Sequence, residues 1–374
     1  MQKALSRHSS MRIASVVGAR PNFIKLAPIH RAISSISEHV IIHTGQHYDF
    51  EMSEIFFKEF DLPEPNFNLG IGPGTQGFQI GEMIKGLEQI FLRDNKFDLV
   101  IVYGDTNSTL AGALAANRLG FRTAHVESGL RSYDRRMPEE INRILTDNIC
   151  DYLFAPTRIA VKNLKREHVH GKIFNTGDVV VEIIKETEKK SSPVVDKLGM
   201  SPKSYILFTM HRADNTNSKD RMLSIIRMFE MLNDVEIVFP IHPRTRRMLI
   251  ENDLYDQLEN CKNVRLIQPL GYIDFIKLMQ NAAKVVTDSG GVQKESYLLH
   301  VPCITIRRST EWVETVKAGW NLIIDVDTKK IVKACREWNP KKKPFKPIFG
   351  NGNSSTNIKN LIVSILSGEK VLHQ

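Results

Sequence analysis

Cysteine is scarce in this sequence, and long apolar runs are missing from it. Its 374 residues include 4 cysteines, which lie far apart and never form a Cys-x-x-Cys pair. This spacing argues against a disulfide framework and a cysteine-based zinc site. No apolar stretch approaches the roughly 20 residues that cross a membrane as a helix. We therefore expect no membrane association, and a location in the reducing cytoplasm.

The chain also lacks the pattern that is typical of nucleic-acid binders. Its formal net charge is +9, but the lysines and arginines are mostly dispersed along the chain. Aromatic residues do not alternate with basic ones, as they do on surfaces that stack bases. We expect no nucleic-acid partner, because a phosphorylated small molecule is a simpler use for local positive charge.

What is present is the pattern of a two-domain α/β protein. Short apolar runs alternate with helical patterns along two successive parts of the chain, which predicts two open parallel sheets. The length suffices for two cores. The predicted parts are a flexible N-terminal extension (residues 1–10, without the apolar core of a signal peptide), an N-terminal domain (11–178), a C-terminal domain (179–355) and a final helical segment (356–374). The Gly- and Pro-rich residues 62–77 are predicted to be irregular.

The most informative stretch lies in the N-terminal domain. A strand-like run over residues 99–102 leads to Asp105, and a second, over 122–126, leads to Glu127. One helix separates these runs, and right-handed crossovers place both strand ends at the sheet edge where ligands bind. Glu139 follows shortly afterwards. Three neighbouring carboxylates repel one another and acquire the perturbed pKa values that acid–base chemistry requires.

Each of the three acids has to be weighed against a structural role. Asp105 precedes a Thr-rich turn, where it is equally well placed to cap the next helix. Glu139 follows Pro138 at a helix start, where an acid favours the helix dipole in any case. Glu127 occupies no capping position that we can name. Taken together, the three acids favour catalysis.

Two other loops of the N-terminal domain carry polar groups. The first strand stops at Gly18, and the following helix has Arg20 and Lys25 near its start, a combination that suits a phosphate or sugar anion. His43 and His47 lie near the end of the second strand. Their spacing is poor evidence for a metal site. We predict hydrogen-bonding or packing roles for them.

The C-terminal domain has a glycine-rich turn from a strand into a helix. This turn, Thr287-Asp288-Ser289-Gly290-Gly291, presents backbone N–H groups that can hold a diphosphate, with the Ser289 hydroxyl added. Glu295, on the predicted first turn of a helix over 293–298, is placed to accept ribose hydroxyls. The alternative is an ordinary turn in which Ser289 caps the helix and Glu295 completes a capping box. His211 also follows a strand end.

These residues together resemble the non-hydrolysing UDP-N-acetylglucosamine 2-epimerases over nearly the whole chain from Met11. Each motif is modest alone, but their order along one chain is highly specific. The motifs are Gly18-Ala19-Arg20-Pro21, His43-Thr44-Gly45-Gln46, Tyr103-Gly104-Asp105-Thr106, His125-Val126-Glu127-Ser128-Gly129-Leu130-Arg131, Pro138-Glu139-Glu140-Ile141-Asn142-Arg143 and Asp288-Ser289-Gly290-Gly291.

The resemblance implies a fold, a reaction and a set of partners. It implies two Rossmann-like domains facing across a cleft (glycosyltransferase-B architecture), with the C-terminal domain binding UDP and the final helix returning toward the N-terminal domain. The implied reaction interconverts UDP-GlcNAc and UDP-ManNAc by elimination of UDP to a 2-acetamidoglucal and re-addition. The implied substrate is a UDP-sugar, the implied assembly is a homodimer, and no nicotinamide, metal or other cofactor is implied.

The resemblance also implies roles for individual residues. Asp105, Glu127 and Glu139 would line the reacting centre, and His211 would stabilise the departing diphosphate. Phe275 would stack near uracil. The residues implied in substrate binding are Arg20, Lys25, Phe275, Ser289, Gly290, Gly291, Glu295 and Arg307.

The chain departs from the family pattern near its second site. It has Trp312 where many members have an arginine in a Thr-Glu-Arg-Pro-Glu-like stretch, and Leu270 replaces a common glutamine. Arg307 and Arg308 are near enough in sequence to compensate. The Trp312 version resembles epimerases that act on UDP-2,3-diacetamido-2,3-dideoxy-glucuronate, so this substrate is an alternative to UDP-GlcNAc.

Two further functions stay open at this point. A UDP-sugar glycosyltransferase of the same architecture would need an acceptor groove instead of an acid triad at C2. A non-catalytic nucleotide-sugar binder would need neither Asp105 nor Glu139. Incubation with UDP-GlcNAc alone separates them, because only an epimerase changes the sugar without an acceptor.

Overall fold

The computed structural model describes residues 11–46, 50–94, 96–340 and 345–369. The extension predicted for residues 1–10 lies outside this described part, as do His47 and the end of the final segment after residue 369. Among the described residues, none of the helices has both the length and the apolar character needed to cross a membrane.

By its internal packing the chain divides into two compact units. Unit 1 comprises Met1–Lys185 and Pro347–Gln374, and unit 2 comprises Glu186–Lys346. A packing unit is not the same thing as a folding domain, so the domain limits at residues 178 and 355 stay predictions. The site descriptions below treat each unit by itself.

The strands of unit 1 come first along the chain, and those of unit 2 follow. In unit 1 they are β1 (Arg12–Val17), β2 (Glu38–His43), β3 (Phe67–Asn68), β4 (Leu99–Tyr103), β5 (Thr123–Val126), β6 (Tyr152–Ala155) and β7 (Lys172–Asn175). In unit 2 they are β8 (Tyr205–Thr209), β9 (Glu236–Pro240), β10 (Val264–Ile267), β11 (Lys284–Thr287), β12 (Cys303–Thr305) and β13 (Asn321–Ile323).

The helices connect these strands. The first eight are α1 (Arg20–Ile33), α2 (Phe50–Glu59), α3 (Gln76–Arg93), α4 (Asn107–Arg118), α5 (Pro138–Ile149), α6 (Arg158–Arg166), α7 (Val180–Lys189) and α8 (Val194–Lys197). The rest are α9 (Ala213–Thr216), α10 (Lys219–Met231), α11 (Pro243–Glu251), α12 (Tyr255–Glu259), α13 (Tyr272–Asn281), α14 (Gly290–Leu298), α15 (Val313–Lys317), α16 (Thr328–Glu337) and α17 (Ser354–Ser367).

Both sheets have the strand order of a Rossmann-type fold. In the described part of unit 1 the order is β3-β2-β1-β4-β5-β6-β7, and in that of unit 2 it is β10-β9-β8-β11-β12-β13. The strand pairs are parallel. This confirms the predicted α/β class with two Rossmann-like domains. The order reverses between β1 and β4 and between β8 and β11, and such switch points are where open sheets bind ligands.

The apolar runs form strands because both faces of each sheet are covered. All five residues of β4 (LVIVY) are buried, as are all five of β8 (YILFT). Parallel strands covered by helices on both faces read as continuous apolar runs, and not as alternating ones. This pattern made the central strands visible in the sequence.

The prediction that residues 62–77 are irregular was wrong at two places, since α3 already begins at Gln76 and a short strand lies before it. Phe67 and Asn68 form β3, which pairs with Ile42 and His43 of β2. The Asn66 side chain also accepts a hydrogen bond from Ile41 N at 2.8 Å. A two-residue edge strand is too short to leave a periodic signal, because its pairing depends on β2 and not on its own sequence.

Candidate active site

The loops after β1 and β4 meet at the switch point of unit 1. Asn22 joins them, because its Oδ1 accepts from Gly18 N at 3.1 Å and from Ala19 N at 3.0 Å, while its Nδ2 donates to Tyr103 O at 2.8 Å. A Cβ on Gly18 would lie 2.0 Å from Thr44 Oγ1. Only glycine fits at this position. The hydrogen bonds of Asn22 therefore hold the loop after β1 against the end of β4, and the close contact of Gly18 with Thr44 holds it against the loop after β2.

Glu127 forms a buried ion pair at this edge. Lys25 Nζ lies 2.9 Å from Glu127 Oε1, and each side chain is 8% exposed. The backbone of Glu127 is left-handed, with a φ of 75°, a conformation that costs a non-glycine residue about 1–3 kcal/mol and clusters at functional sites. Gly104 packs against this pair, since a Cβ there would lie 3.0 Å from Lys25 Nζ.

Asp105 lies beside the same pair and does not cap the next helix. The N-cap of α4 is Thr106, whose side chain accepts from Thr109 N at 3.3 Å. The interpretation of Asp105 as a helix cap is therefore wrong. Asp105 Oδ2 instead accepts from Arg143 NH2 at 2.6 Å.

The pKa of Asp105 depends on the charges of the other two predicted acids. Burial raises the pKa of its carboxyl group, and the charges of Glu139 and Glu127 raise it further, whereas Arg143 and Lys25 act in the opposite direction. The side chain keeps 26% of its surface exposed. Asp105 is thus placed to hold a proton more readily than an ordinary aspartate.

Glu139 is the second residue of α5, after Pro138 at the first position. An acid there is favoured by the helix dipole, so the structural explanation of Glu139 still holds. Its interaction with Asp105 nevertheless places it within the same cluster of charges. The neighbouring Glu140 has a different role, because its buried carboxylate accepts from Ser132 N at 2.8 Å and Tyr133 N at 2.9 Å.

The two remaining predictions for unit 1 concern Arg20 and His43. Arg20 begins α1, and its guanidinium carbon lies 4.6 Å from the centre of the Phe56 ring. His43 is buried, stacks on Phe23 with ring centres 5.4 Å apart, and accepts from Gly45 N at 3.0 Å. The prediction that His43 has a packing and hydrogen-bonding role is confirmed.

At the switch point of unit 2, a buried carboxylate organises the loop after β8. Asp288, which follows β11, accepts from His211 N at 3.1 Å, from Arg212 N at 3.0 Å and from Asn215 Nδ2 at 2.9 Å. These bonds fix the backbone that carries His211. Its ring lies 5.5 Å from the ring of His242.

The glycine-rich turn of unit 2 forms the start of α14. Ser289 occupies the N-cap position, but its side chain makes no capping hydrogen bond. The interpretation of Ser289 as an ordinary side-chain cap is therefore wrong. A Cβ on Gly290 would lie 2.0 Å from Glu311 Oε1, so the close approach of that carboxylate requires glycine. A helix start of this kind is suited to an anion.

Glu295 lies in the second turn of α14, and not in the first turn as predicted, because the helix starts at Gly290. The third helical position, where a capping box has its acid, is Val292, so the capping-box interpretation is also wrong. Glu295 is buried, and its Oε1 accepts from Tyr272 OH at 3.0 Å.

One departure from the family pattern, Trp312, lies close to this helix. Arg307 NH1 and Glu311 Oε2 are 2.9 Å apart, and both side chains are buried. Lys294 Nζ lies 4.5 Å from the centre of the buried Trp312 ring, a cation–π contact. Arg308 differs from Arg307, because it is 63% exposed and pairs with Asp325.

The structure therefore groups the predicted residues into two sets, each within its own unit. At the switch point of unit 1 lie Arg20, Lys25, Asp105, Glu127 and Glu139. Unit 2 holds His211, Ser289, Gly290, Gly291, Glu295 and Arg307, together with the half-buried Phe275 on α13. Within the described part of the chain, no group of three His, Cys, Asp or Glu side chains is arranged to hold a metal ion.

Sequence reasoning included Asp288 and Arg143 in the family motifs without assigning them a role, and it did not identify Asn22. Asn22 and Asp288 bond to the loops, and Arg143 binds Asp105. Arg143 had a usable signal, since it follows Glu139 by four residues and faces the same side of α5. Asn22 had no such signal for its bond to Tyr103 O, because that partner is distant in the sequence and is brought to it by the fold.

Comparison with known proteins agrees with this geometry. A family model described as UDP-N-acetylglucosamine 2-epimerase matches residues 31–363. The chain belongs to this family. A "UDP-N-acetylglucosamine 2-epimerase homolog" of Methanococcus maripaludis is 52% identical over 94% of this chain and 99% of its own length.

Two other relatives of this epimerase family bear on the substrate. A UDP-2,3-diacetamido-2,3-dideoxy-D-glucuronate 2-epimerase of Pseudomonas aeruginosa is 42% identical over 95% of this chain and all (100%) of its own. The crystal structure of the Methanocaldococcus jannaschii UDP-GlcNAc 2-epimerase in complex with UDP-GlcNAc and UDP has a TM-score of 0.89. It is 45% identical and covers 94% of this chain and 99% of its own.

Proposed function

We propose that this protein is a non-hydrolysing UDP-N-acetylglucosamine 2-epimerase that interconverts UDP-GlcNAc and UDP-ManNAc. The observation that carries the proposal is the charge cluster of unit 1, where Asp105 interacts with Glu127, Glu139 and Lys25 at a sheet switch point. The M. jannaschii relative, whose structure holds UDP-GlcNAc and UDP, supports the choice of sugar.

The proposed reaction avoids a free carbanion at C2. A carboxylate removes the C2 proton while the C1–O bond breaks and UDP leaves with the bonding pair, which gives a 2-acetamidoglucal. UDP then attacks C1 again, and a second carboxyl group delivers a proton to the opposite face of C2. Both faces need an acid–base group, which explains why several acids with unequal surroundings are gathered at one edge.

Unit 2 supplies the nucleotide side of the proposal. The start of α14, with Ser289, Gly290 and Gly291, binds the diphosphate through backbone N–H groups. Glu295 accepts hydrogen bonds from the ribose hydroxyls, and Phe275 packs against the uracil ring. His211 stabilises the negative charge that develops on departing UDP, an effect that is largest in the transition state.

Three finer points belong to the same proposal. We infer a cytoplasmic enzyme that works as a homodimer and needs no nicotinamide or metal. The family likeness supports these inferences. The glycine motifs Gly18-Ala19-Arg20-Pro21 and Ser289-Gly290-Gly291 also lack the Gly-x-Gly-x-x-Gly spacing of dinucleotide sites.

Turnover of UDP-GlcNAc in D₂O, without an acceptor, tests the proposal. We expect UDP-ManNAc with deuterium at C2, and traces of UDP and 2-acetamidoglucal, when the products are analysed by mass spectrometry. Complete epimerisation without deuterium at C2 would overturn the roles of the carboxylates. A sugar that stays unchanged without an acceptor would favour a glycosyltransferase.

Two observations favour a second substrate. The P. aeruginosa relative is nearly as similar as the M. jannaschii enzyme, and Trp312 resembles the form of the motif in epimerases for the diacetamido-uronate. We therefore infer UDP-2,3-diacetamido-2,3-dideoxy-glucuronate as the alternative substrate of the same reaction. The ratio of kcat/KM for the two sugars, measured with one enzyme preparation, decides between them.

A further inference from the structure

A fully buried histidine lies behind the charge cluster of unit 1. His125 Nε2 is 2.6 Å from the carbonyl oxygen of Gly104, which can only accept a hydrogen bond, so Nε2 carries a proton. His125 Nδ1 is 2.7 Å from Asp147 Oδ1. Asp147 Oδ2 accepts from Gly129 N at 3.0 Å and from Arg131 NH1 at 2.7 Å.

Asp147 is an ionised acceptor in this arrangement. Burial by itself would raise the pKa of its carboxyl group, but the bonds and charges of His125 and Arg131 lower that pKa below the ordinary value. Asp147 Oδ1 and Nδ1 of His125 share one hydrogen bond. Both ring nitrogens of His125 therefore have fixed hydrogen-bond partners.

These bonds connect three separate segments of the chain. Gly104 directly precedes Asp105, and its φ of 69° makes the β4 loop a tight turn. Gly129 belongs to the loop after β5 that carries Glu127. Asp147 lies on α5, and Glu139 is the second residue of the same helix. One histidine–aspartate pair thus contacts all three segments that carry the acids.

We propose that His125 is a positioning residue that fixes these three segments relative to one another. The inference rests on the proposed function, because it assumes that the acids of these segments act on C2 of the sugar. Its contribution comes from geometry, since a displacement of about 1 Å in a reacting group can cost about 10²-fold in rate. His125 itself does not touch the sugar in this proposal.

Two amide variants separate the two bonds of His125. His125→Gln keeps a donor at the place of Nε2, toward Gly104 O, and His125→Asn keeps one at the place of Nδ1, toward Asp147. We expect kcat to fall by about 10²-fold in His125→Asn, and by clearly less in His125→Gln. The KM for the UDP-sugar and the Kd for UDP should change by less than about threefold, since binding does not depend on these segments alone.

Ser15→Ala is the matched control. Ser15 is fully buried in the same sheet and also has two side-chain hydrogen bonds, each of 2.7 Å, to Tyr103 OH and His39 Nε2. It should lower the melting temperature about as much as the His125 variants do, without their loss of kcat. An equal loss of kcat in Ser15→Ala, or a wild-type kcat in His125→Asn, would overturn the proposal.

A measurement on the wild-type enzyme covers the case in which the variants do not fold. In ¹⁵N-histidine-labelled protein, one buried histidine should show a proton on Nε2 that is protected from exchange with solvent, and a hydrogen bond at Nδ1. A spectrum in which no histidine has a protected Nε2 proton would overturn the proposal. If the wild-type enzyme fails to epimerise either sugar while this signal is present, the proposed function fails and the bonding arrangement stands.

Discussion

The two switch points share a strand order but differ in the groups that occupy them. In unit 1 the edge holds charged side chains in buried pairs, among them Lys25 with Glu127. In unit 2 a glycine-started helix presents backbone N–H groups, and Asp288 accepts from N–H groups of the loop after β8. Unit 2 has a buried ion pair beside this helix, Arg307 with Glu311, but no cluster of three acids like that of unit 1 among the residues predicted for its site. The same topology therefore provides a place for a ligand, while side chains decide its chemistry.

The difference also shows in the backbone. Unit 1 holds Glu127 in a left-handed conformation beside two strand ends, whereas the turn of unit 2 starts a helix with glycine and with φ values in the ordinary range. A strained carboxylate among other charges is typical of a reacting centre. A helix start without a side-chain cap is typical of anion binding. We assign chemistry to unit 1 and nucleotide binding to unit 2 on this contrast.

The largest expected effect is the loss of turnover when one of the three acids of unit 1 is replaced by its amide. Asp105→Asn, Glu127→Gln and Glu139→Gln should each lower kcat by about 10²–10⁴-fold, because general acid–base groups typically contribute that much. The Kd for UDP, measured by isothermal titration, should stay close to that of the wild type. Steady-state kinetics with UDP-GlcNAc provide kcat.

Glu38→Gln is the control for these three variants. Glu38 is an exposed acid of unit 1 that pairs with Arg12 at 2.9 Å, away from the strand ends named above. Its loss should leave kcat unchanged. Retention of the wild-type rate by all three acid variants would remove the functional distinction between the two switch points.

A second effect concerns stability and compares the two organising carboxylates. Asp147→Asn leaves the charged partners of a buried network unmatched, and it should lower the free energy of unfolding by about 3–5 kcal/mol. Asp288→Asn disturbs hydrogen bonds from neutral donors, and about 1–3 kcal/mol is expected. Urea unfolding, followed by hydrogen exchange in peptides of each unit, measures both. An equal loss of unfolding free energy in the two variants would contradict the distinction between the charged partners of Asp147 and the neutral donors to Asp288.

The pH dependence of the Asp147 contribution follows from the sign of its pKa shift. Its folded pKa is below the ordinary value of 3.8, so the folded state binds fewer protons than the unfolded state near that pH. The stabilisation is therefore complete above pH 3.8 and is lost as the pH falls through the folded pKa. The difference between wild type and Asp147→Asn should narrow over the same acid range.

The smallest expected effect lies in the nucleotide side of unit 2. Ser289→Ala and Glu295→Gln should raise the Kd for UDP by up to about tenfold, the value of one net hydrogen bond, with kcat changed by less than about threefold. Arg336→Gln, an exposed residue of unit 2 that pairs with Asp234, is the control. An unchanged Kd for UDP in both variants would contradict the placement of the nucleotide site in unit 2.

The sequence allowed the central strands and their polar ends to be predicted, because buried parallel strands leave apolar runs that stop at the ligand-binding edge. It misplaced the start of α14, since two glycines carry no helical periodicity. It did not indicate β3, whose two residues depend on β2. His125 belongs to one of the family motifs but received no predicted role, because its partners Gly104 and Asp147 are brought to it by the crossovers of the fold and by no local pattern.

The chain leaves unit 1 at Lys185 and returns to it at Pro347. The returning segment is held by backbone and side-chain bonds, with Asp178 N donating to Phe349 O at 2.9 Å and Ser355 N donating to Glu182 Oε1 at 2.7 Å, and α17 packs against α1. During synthesis on a ribosome, all of unit 2 emerges before this segment does. The unit that carries the three acids therefore acquires its full set of contacts only after all of unit 2 has emerged.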